Sequence, residues 1–173
     1  MGLGPRLMTN VIGGPPKAAK SGPAPPLKVE NRIGVQAPPE VVWEILSDLS
    51  GWGRWCPIYP RAAGELHIGA RLELTLALPG LPEREFSARL IDWVPEEQIL
   101  WADAPWRGWV RTARYIEIEK LSETSCIVSN GEQIEGFLAD FFHERRRLPM
   151  KRGFLAFSEA IKAASETLWA DRK

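Results

Sequence analysis

The sequence is short of most residues that would announce a function. Cys56 and Cys126 are the only two cysteines in 173 residues, too few for a disulfide framework or a zinc cluster. The two histidines, His67 and His143, lie far apart, and neither has metal-ligand spacing to another His or Cys. Neither sign of charge is in excess. Lys and Arg number 22 and Asp and Glu number 22, which argues against a broad nucleic-acid surface, normally marked by a basic surplus. No apolar run reaches the ~20 residues of a membrane-spanning helix, so no stable membrane insertion is expected. Near the N-terminus, Leu7, Met8, Val11 and Ile12 are interrupted by Thr9 and Asn10, so no export signal is expected either. The cytoplasm, where both thiols stay reduced, is the expected compartment. Gly-rich phosphate loops, nucleophile elbows and HExxH helices are missing too, and no cofactor or metal is expected.

The composition that remains is 45% hydrophobic and 25% charged, ordinary for a globular protein. A chain of this length suggests one domain, large enough to bury about 70% of its unfolded surface without staples. Eight Trp against two Tyr is the unusual figure, because Trp suits pocket walls as well as cores. Residues 1–26 carry six Pro, five Gly and no acid, a composition that cannot bury enough apolar surface to order itself. They are expected to be a disordered tail before a ligand-binding domain over 27–173.

Residues 27–36 alternate, with Val29, Ile33 and Val35 apolar and Glu30 and Arg32 charged, which predicts a first strand. Pro38-Pro39-Glu40 opens a helix whose stripe is Val41, Val42, Ile45, Leu46 and Leu49. Residues 51–60 form a second short helical or irregular piece. From Ala63 the period becomes two. Strands are predicted at 63–68, 70–78, 84–94, 97–103, 107–119 and 124–135, divided by turn signals such as Gly69 and Pro79-Gly80. Residues 137–169 are helical, with Met150, Phe154, Phe157, Ile161, Ala164 and Leu168 on one face, and Pro149 is expected to break or kink them. The result is an α+β fold, a seven-stranded curved antiparallel sheet wrapped around a long C-terminal helix.

Candidate site residues come from frame counting. Thr112 and Arg114 share a face with Val110, Ile116 and Ile118, and Asn130 and Glu132 share one with Cys126, Val128 and Ile134. A turn near Ser122 would set Arg114 opposite Asn130 and Thr112 opposite Glu132, with Arg114 and Glu132 as a diagonal pair. Such a group is a self-satisfied ion pair, an orienting device for a polar ligand group, or, through Glu132, a general acid or base. Trp55, Trp101 and Trp109 are candidate pocket walls, whereas Trp43 and Trp93 read as core. Cys56 reads as a packing or pocket-rim group. Arg145-Arg146-Arg147 with Lys151 and Arg152 reads as a solvated helix face that could also meet anionic headgroups.

Several segments together resemble the START-like helix-grip superfamily, also called SRPBCC, and within it bacterial polyketide cyclase/dehydrase and lipid-transport proteins. These are Val35 to Trp43 at the first strand-to-helix junction, Trp55-Cys56-Pro57, Ile68 to Leu72, Asn130 to Gly136, and Gly153-Phe154. The resemblance implies a helix-grip fold over roughly 28–169 with a central cavity for a hydrophobic or amphipathic small molecule, whether lipid, isoprenoid or polyketide-like. The leading expectation is therefore a ligand-binding protein. The alternative is a cyclase or dehydratase using Glu132 with Arg114, and a protein partner at the Trp-rich loops is a third, weaker one.

Overall fold

The computed structural model describes residues 27–173, so the expected tail lies outside the described residues. The order is β1 (Leu27–Val35), α1 (Pro39–Ser47), a single 3-10 turn, α2 (Trp52–Trp55), β2 (Arg61–Ala63), β3 (Arg71–Leu76), β4 (Arg84–Val94), β5 (Gln98–Asp103), β6 (Arg111–Ser122), β7 (Ser125–Glu135) and α3 (Ala139–Ala170). The seven strands form one antiparallel sheet in the order β1-β7-β6-β5-β4-β3-β2. Only the β1-to-β7 pairing departs from the meander, which brings the first strand beside the last. The fold is the α+β helix grip that the pattern predicts.

The strand boundaries differ from expectation most at β2 and β6. β2 covers only residues 61–63 and the chain leaves it at Gly64, whose φ of 137° is a glycine conformation. A side chain there would also press on Leu72, so residues 64–68 form a loop. β6 begins at Arg111, not at residue 107, because Arg107 adopts a left-handed φ of 56° in the turn Trp106–Gly108. At its far end β6 runs on to Ser122 and reverses through Glu123 and Thr124. That moves the β6–β7 register by two residues. Arg114 stands directly opposite Glu132, Ile116 opposite Asn130 and Thr112 opposite Ile134. A two-residue slip keeps every side chain on its face, since the pleat has period two.

Helix α3 runs through Pro149 without a break. The proline removes one backbone donor, the one that would have met the Arg145 carbonyl. Burial of Met150, Phe154, Phe157 and Ile161 on the following turns holds the helix against the sheet. At 32 residues it is about 48 Å long. Asn130 on β7 anchors it, donating from Nδ2 to the Phe154 carbonyl at 3.3 Å and to Ser158 Oγ at 3.0 Å. Gly153 allows the close approach, because a side chain there would meet Leu78 and Ile58. Between sheet and helix the space is filled by rings. Trp52, Tyr59, Trp101 and Phe157 lie with centroids 5.5–6.4 Å apart, mostly edge to face.

Candidate functional site

Alternation along four adjacent strands brings one polar side chain after another to the inner face near the sheet's open end. These are Arg84 at the start of β4, Asp103 at the end of β5, Thr112 and Arg114 on β6, and Glu132 on β7. Arg84 Nη2 donates to Asp103 Oδ2 at 3.1 Å. Thr112 Oγ1 donates to Asp103 Oδ1, which Arg114 Nη1 also reaches at 3.4 Å. Arg114 Nη2 and Glu132 Oε2 form an ion pair at 2.5 Å. It is a charge contact without an aligned hydrogen bond, since neither atom has a well-directed partner. The Arg114 side chain is only 1% exposed. A buried charge without a counter-charge is prohibitively unfavourable, so pairing with Glu132 and Asp103 is what permits it. Burial alone would lower the pKa of Arg114; Glu132, Tyr59 and Asp103 beside it outweigh this and hold it above its ordinary value.

Tyr59, from the segment after α2, faces the same row. Burial pushes its phenol well up, which keeps it protonated as a donor. Its Oη has no hydrogen-bond partner among the described residues, and neither do Trp101 Nε1, Arg114 Nε or Asn130 Oδ1. A gap of about 10 Å³ lies among Tyr59, Trp101, Arg114, Asn130, Phe154 and Phe157. That is about the room a single water needs.

A larger space lies at the end of the grip. A cavity of about 660 Å³ lies between the first turns of α3, with Phe141, Phe142 and Arg146, and the loops carrying Leu81, Pro105 and Val110. Arg84 belongs to its wall and joins it to the polar row. A hollow of about 710 Å³ on the outer face is lined instead by charged groups such as Lys28, Glu30, Arg32 and Glu119. Those pair with one another, Lys28 with Glu30 and Arg32 with Glu119, each at 2.7 Å. The end cavity is the one with the walls of a small-molecule site.

Residues 26–166 match the family model described as polyketide cyclase / dehydrase and lipid transport. The chain belongs to the polyketide cyclase / dehydrase and lipid transport family. A search of curated proteins finds no match. Among solved structures, the chain is similar to the Zhui aromatase/cyclase from Streptomyces sp. R1128, at 19% identity over 81% of this chain and 93% of that one, with a TM-score of 0.66. It is also similar to norcoclaurine synthase from Thalictrum flavum in complex with dopamine and hydroxybenzaldehyde, at 16% identity, 85% and 88% coverage and a TM-score of 0.61. A protein from Arthrobacter aurescens matches at 18% identity, 82% and 87% coverage and a TM-score of 0.62. At such identities these likenesses show the fold, and one fold serves many functions.

Within this family member, the expected site residues separate into groups. Thr112, Arg114 and Glu132 meet in the polar row, and Asn130 sits beside it holding α3. Trp101 stands in the ring cluster and borders the small gap. Trp55 lies away from the cavity, 5.4 Å from the Phe157 ring and bordering a shallow groove with Ala160 and Leu168. Trp109 is 60% exposed and lies outside the wall of the end cavity. Trp43 and Trp93 pack together at 6.2 Å against the core. Cys56 is buried and its thiol is pushed up to about 12 by that burial, a packing group and no nucleophile.

Four members of the site escaped the sequence reading. Asp103 is in frame with Ile99 and Trp101, but its neighbours Ala104 and Pro105 read as a turn. Arg84 is in frame with Phe86, Ala88 and Leu90. Arg146 lies four residues from both Phe142 and Met150 on the inner stripe of α3, hidden within a run of three arginines. Tyr59 sits in an irregular segment where no periodicity marks it.

Proposed function

We propose that the chain binds a hydrophobic or amphipathic small molecule, a lipid, isoprenoid or polyketide-like compound, in the end cavity, with the polar row orienting its polar group. The observation that carries this is the adjacency of an apolar cavity of about 660 Å³ and a buried, hydrogen-bonding row reached through Arg84. Family membership supports it. The test is a fluorescence titration with N-phenyl-1-naphthylamine, a neutral apolar probe. It should bind saturably, and Leu81→Asp at the cavity rim should weaken it about fivefold, the loss of part of one leucine's apolar contact. A probe that does not bind, or binds both proteins alike, overturns the reading.

A second reading is a cyclase or dehydratase. It is favoured by the unpartnered Tyr59 Oη, a proton donor, facing the Arg114–Glu132 pair, whose carboxylate could accept a proton. On this reading Glu132→Gln abolishes cyclisation of a poly-β-ketone substrate while leaving probe affinity unchanged. Parallel loss of both properties would make Glu132 a binding group only.

A further inference from the structure

The charges at the end cavity do not balance. Over its wall and the polar row beside it, four guanidinium groups, Arg84, Arg114, Arg145 and Arg146, stand with three carboxylates, Glu83, Asp103 and Glu132, of which Arg145 and Glu83 are exposed. Arg84 and Arg114 share Asp103, and Arg114 also holds Glu132. Arg146 pairs with none of these carboxylates. Among the described residues its polar side-chain contact is Met150 Sδ at 3.6 Å, a weak acceptor. Yet Arg146 is half-buried in the cavity wall, on the helix stripe where Met150, Phe154 and Phe157 are apolar. Burial lowers its pKa; Glu132 opposes that, while Arg114 and Arg84 add to it. A partly desolvated cation without a counter-charge destabilises the fold, and an apolar residue on that stripe would not. The arrangement is one that an anion supplied from outside would complete.

We propose that Arg146 selects the ligand's head group: the molecule taken by this cavity is a monoanionic amphiphile whose oxyacid group, a carboxylate or its like, pairs with the Arg146 guanidinium. This rests on the reading of the end cavity as a site for a hydrophobic molecule. The ligand's apolar body lies against Leu81, Pro105, Val110 and Phe142, and its anionic end turns inward to α3. The planar guanidinium suits a carboxylate or sulfonate, which it can engage through two parallel hydrogen bonds. The ligand then brings the wall and the row beside it to four charges of each sign.

The test uses two probes with one skeleton. N-phenyl-1-naphthylamine is neutral, and 8-anilinonaphthalene-1-sulfonate adds one anionic group. The sulfonate should bind the unaltered protein about tenfold more tightly, the worth of a charge-assisted hydrogen bond. Arg146→Met should erase that advantage while keeping affinity for the neutral probe, and Arg146→Lys should keep part of it. Arg147→Met makes the same charge change on the exposed side of the helix and should leave the advantage intact. Dodecanoate should likewise displace the neutral probe better than dodecanol only while Arg146 is present. This second pair separates carboxylate recognition from recognition of sulfonates alone. Equal affinities in the unaltered protein, an advantage that survives Arg146→Met, or an equal loss in Arg147→Met would overturn the proposal. Failure of the neutral probe itself would instead overturn the cavity reading, and is seen separately. Should Arg146→Met not fold, Arg146→Gln makes the same comparison.

Discussion

At Arg114 a guanidinium sits almost wholly out of water between Glu132 and Asp103. Glu132→Gln takes away the nearer counter-charge. Breaking a buried pair commonly costs about 3–5 kcal/mol, and the lower end is expected here because Asp103 remains. Arg114→Met with Glu132→Gln should recover part of the loss, since Asp103 is then left paired with Arg84. Urea denaturation of the single and double variants measures both. Single changes below about 0.5 kcal/mol, the scale of surface substitutions, would contradict the burial. That Arg114 and Glu132 face inward together was legible in the sequence, because both stand in frame with strongly apolar neighbours. Their direct opposition was not, because register depends on the residue at which β6 turns. Asp103, although in frame with Ile99 and Trp101, was masked by the turn signal of Ala104-Pro105, and Tyr59 was illegible because it stands in an irregular segment, where side-chain direction follows no period.

Among the elements, α3 shows how a helix stripe and a few polar ties divide the work of docking. The stripe of Met150, Phe154, Phe157 and Ile161 was plain from its spacing, and so was the strand pattern of the sheet. Helix continuity through Pro149 was not, since it depends on packing that the sequence does not display. At its other end α3 is tied to the β1–α1 junction. Glu166 Oε1 accepts from the Gln36 amide at 2.8 Å and from Lys162 Nζ at 2.5 Å, while Lys162 Nζ also donates to the Gly34 carbonyl at 3.0 Å. Burial would raise the Glu166 carboxyl, but the Lys162 ammonium and the Gln36 amide outweigh it and hold it below its ordinary value. Such a carboxyl releases its proton more readily in the folded chain than in the unfolded one. Its stabilisation is complete above the ordinary value near ~4.3 and is lost as pH falls through the depressed one. Glu166→Gln should therefore be less stable than the unaltered protein at pH 7, by about 1 kcal/mol. The two should converge on acidification. A difference that is constant from pH 7 to pH 3 would show that the carboxylate's charge is not what ties the helix.

For the whole molecule, the question is whether the grip closes on a hollow or on a solid interior. The resemblance to helix-grip proteins implied a central cavity. The structure places rings through the middle and leaves open volume at the end beside the first turns of α3. Phe157 tests this division, because it is 1% exposed, touches Trp52, Trp55 and Tyr59, and has no part in the end cavity. In a solid interior Phe157→Ala removes a large transfer term and leaves a void that the surrounding rings cannot collapse to fill. The loss should be about 3–5 kcal/mol by chemical denaturation. Affinity for N-phenyl-1-naphthylamine should stay unchanged in that variant, since the probe's walls are elsewhere. A hollow grip gives the opposite pair of results. There the ring would line empty space, its removal would cost less than about 1 kcal/mol, and the enlarged chamber would alter probe binding. The two measurements together assign the ligand to the end of the fold or to its centre.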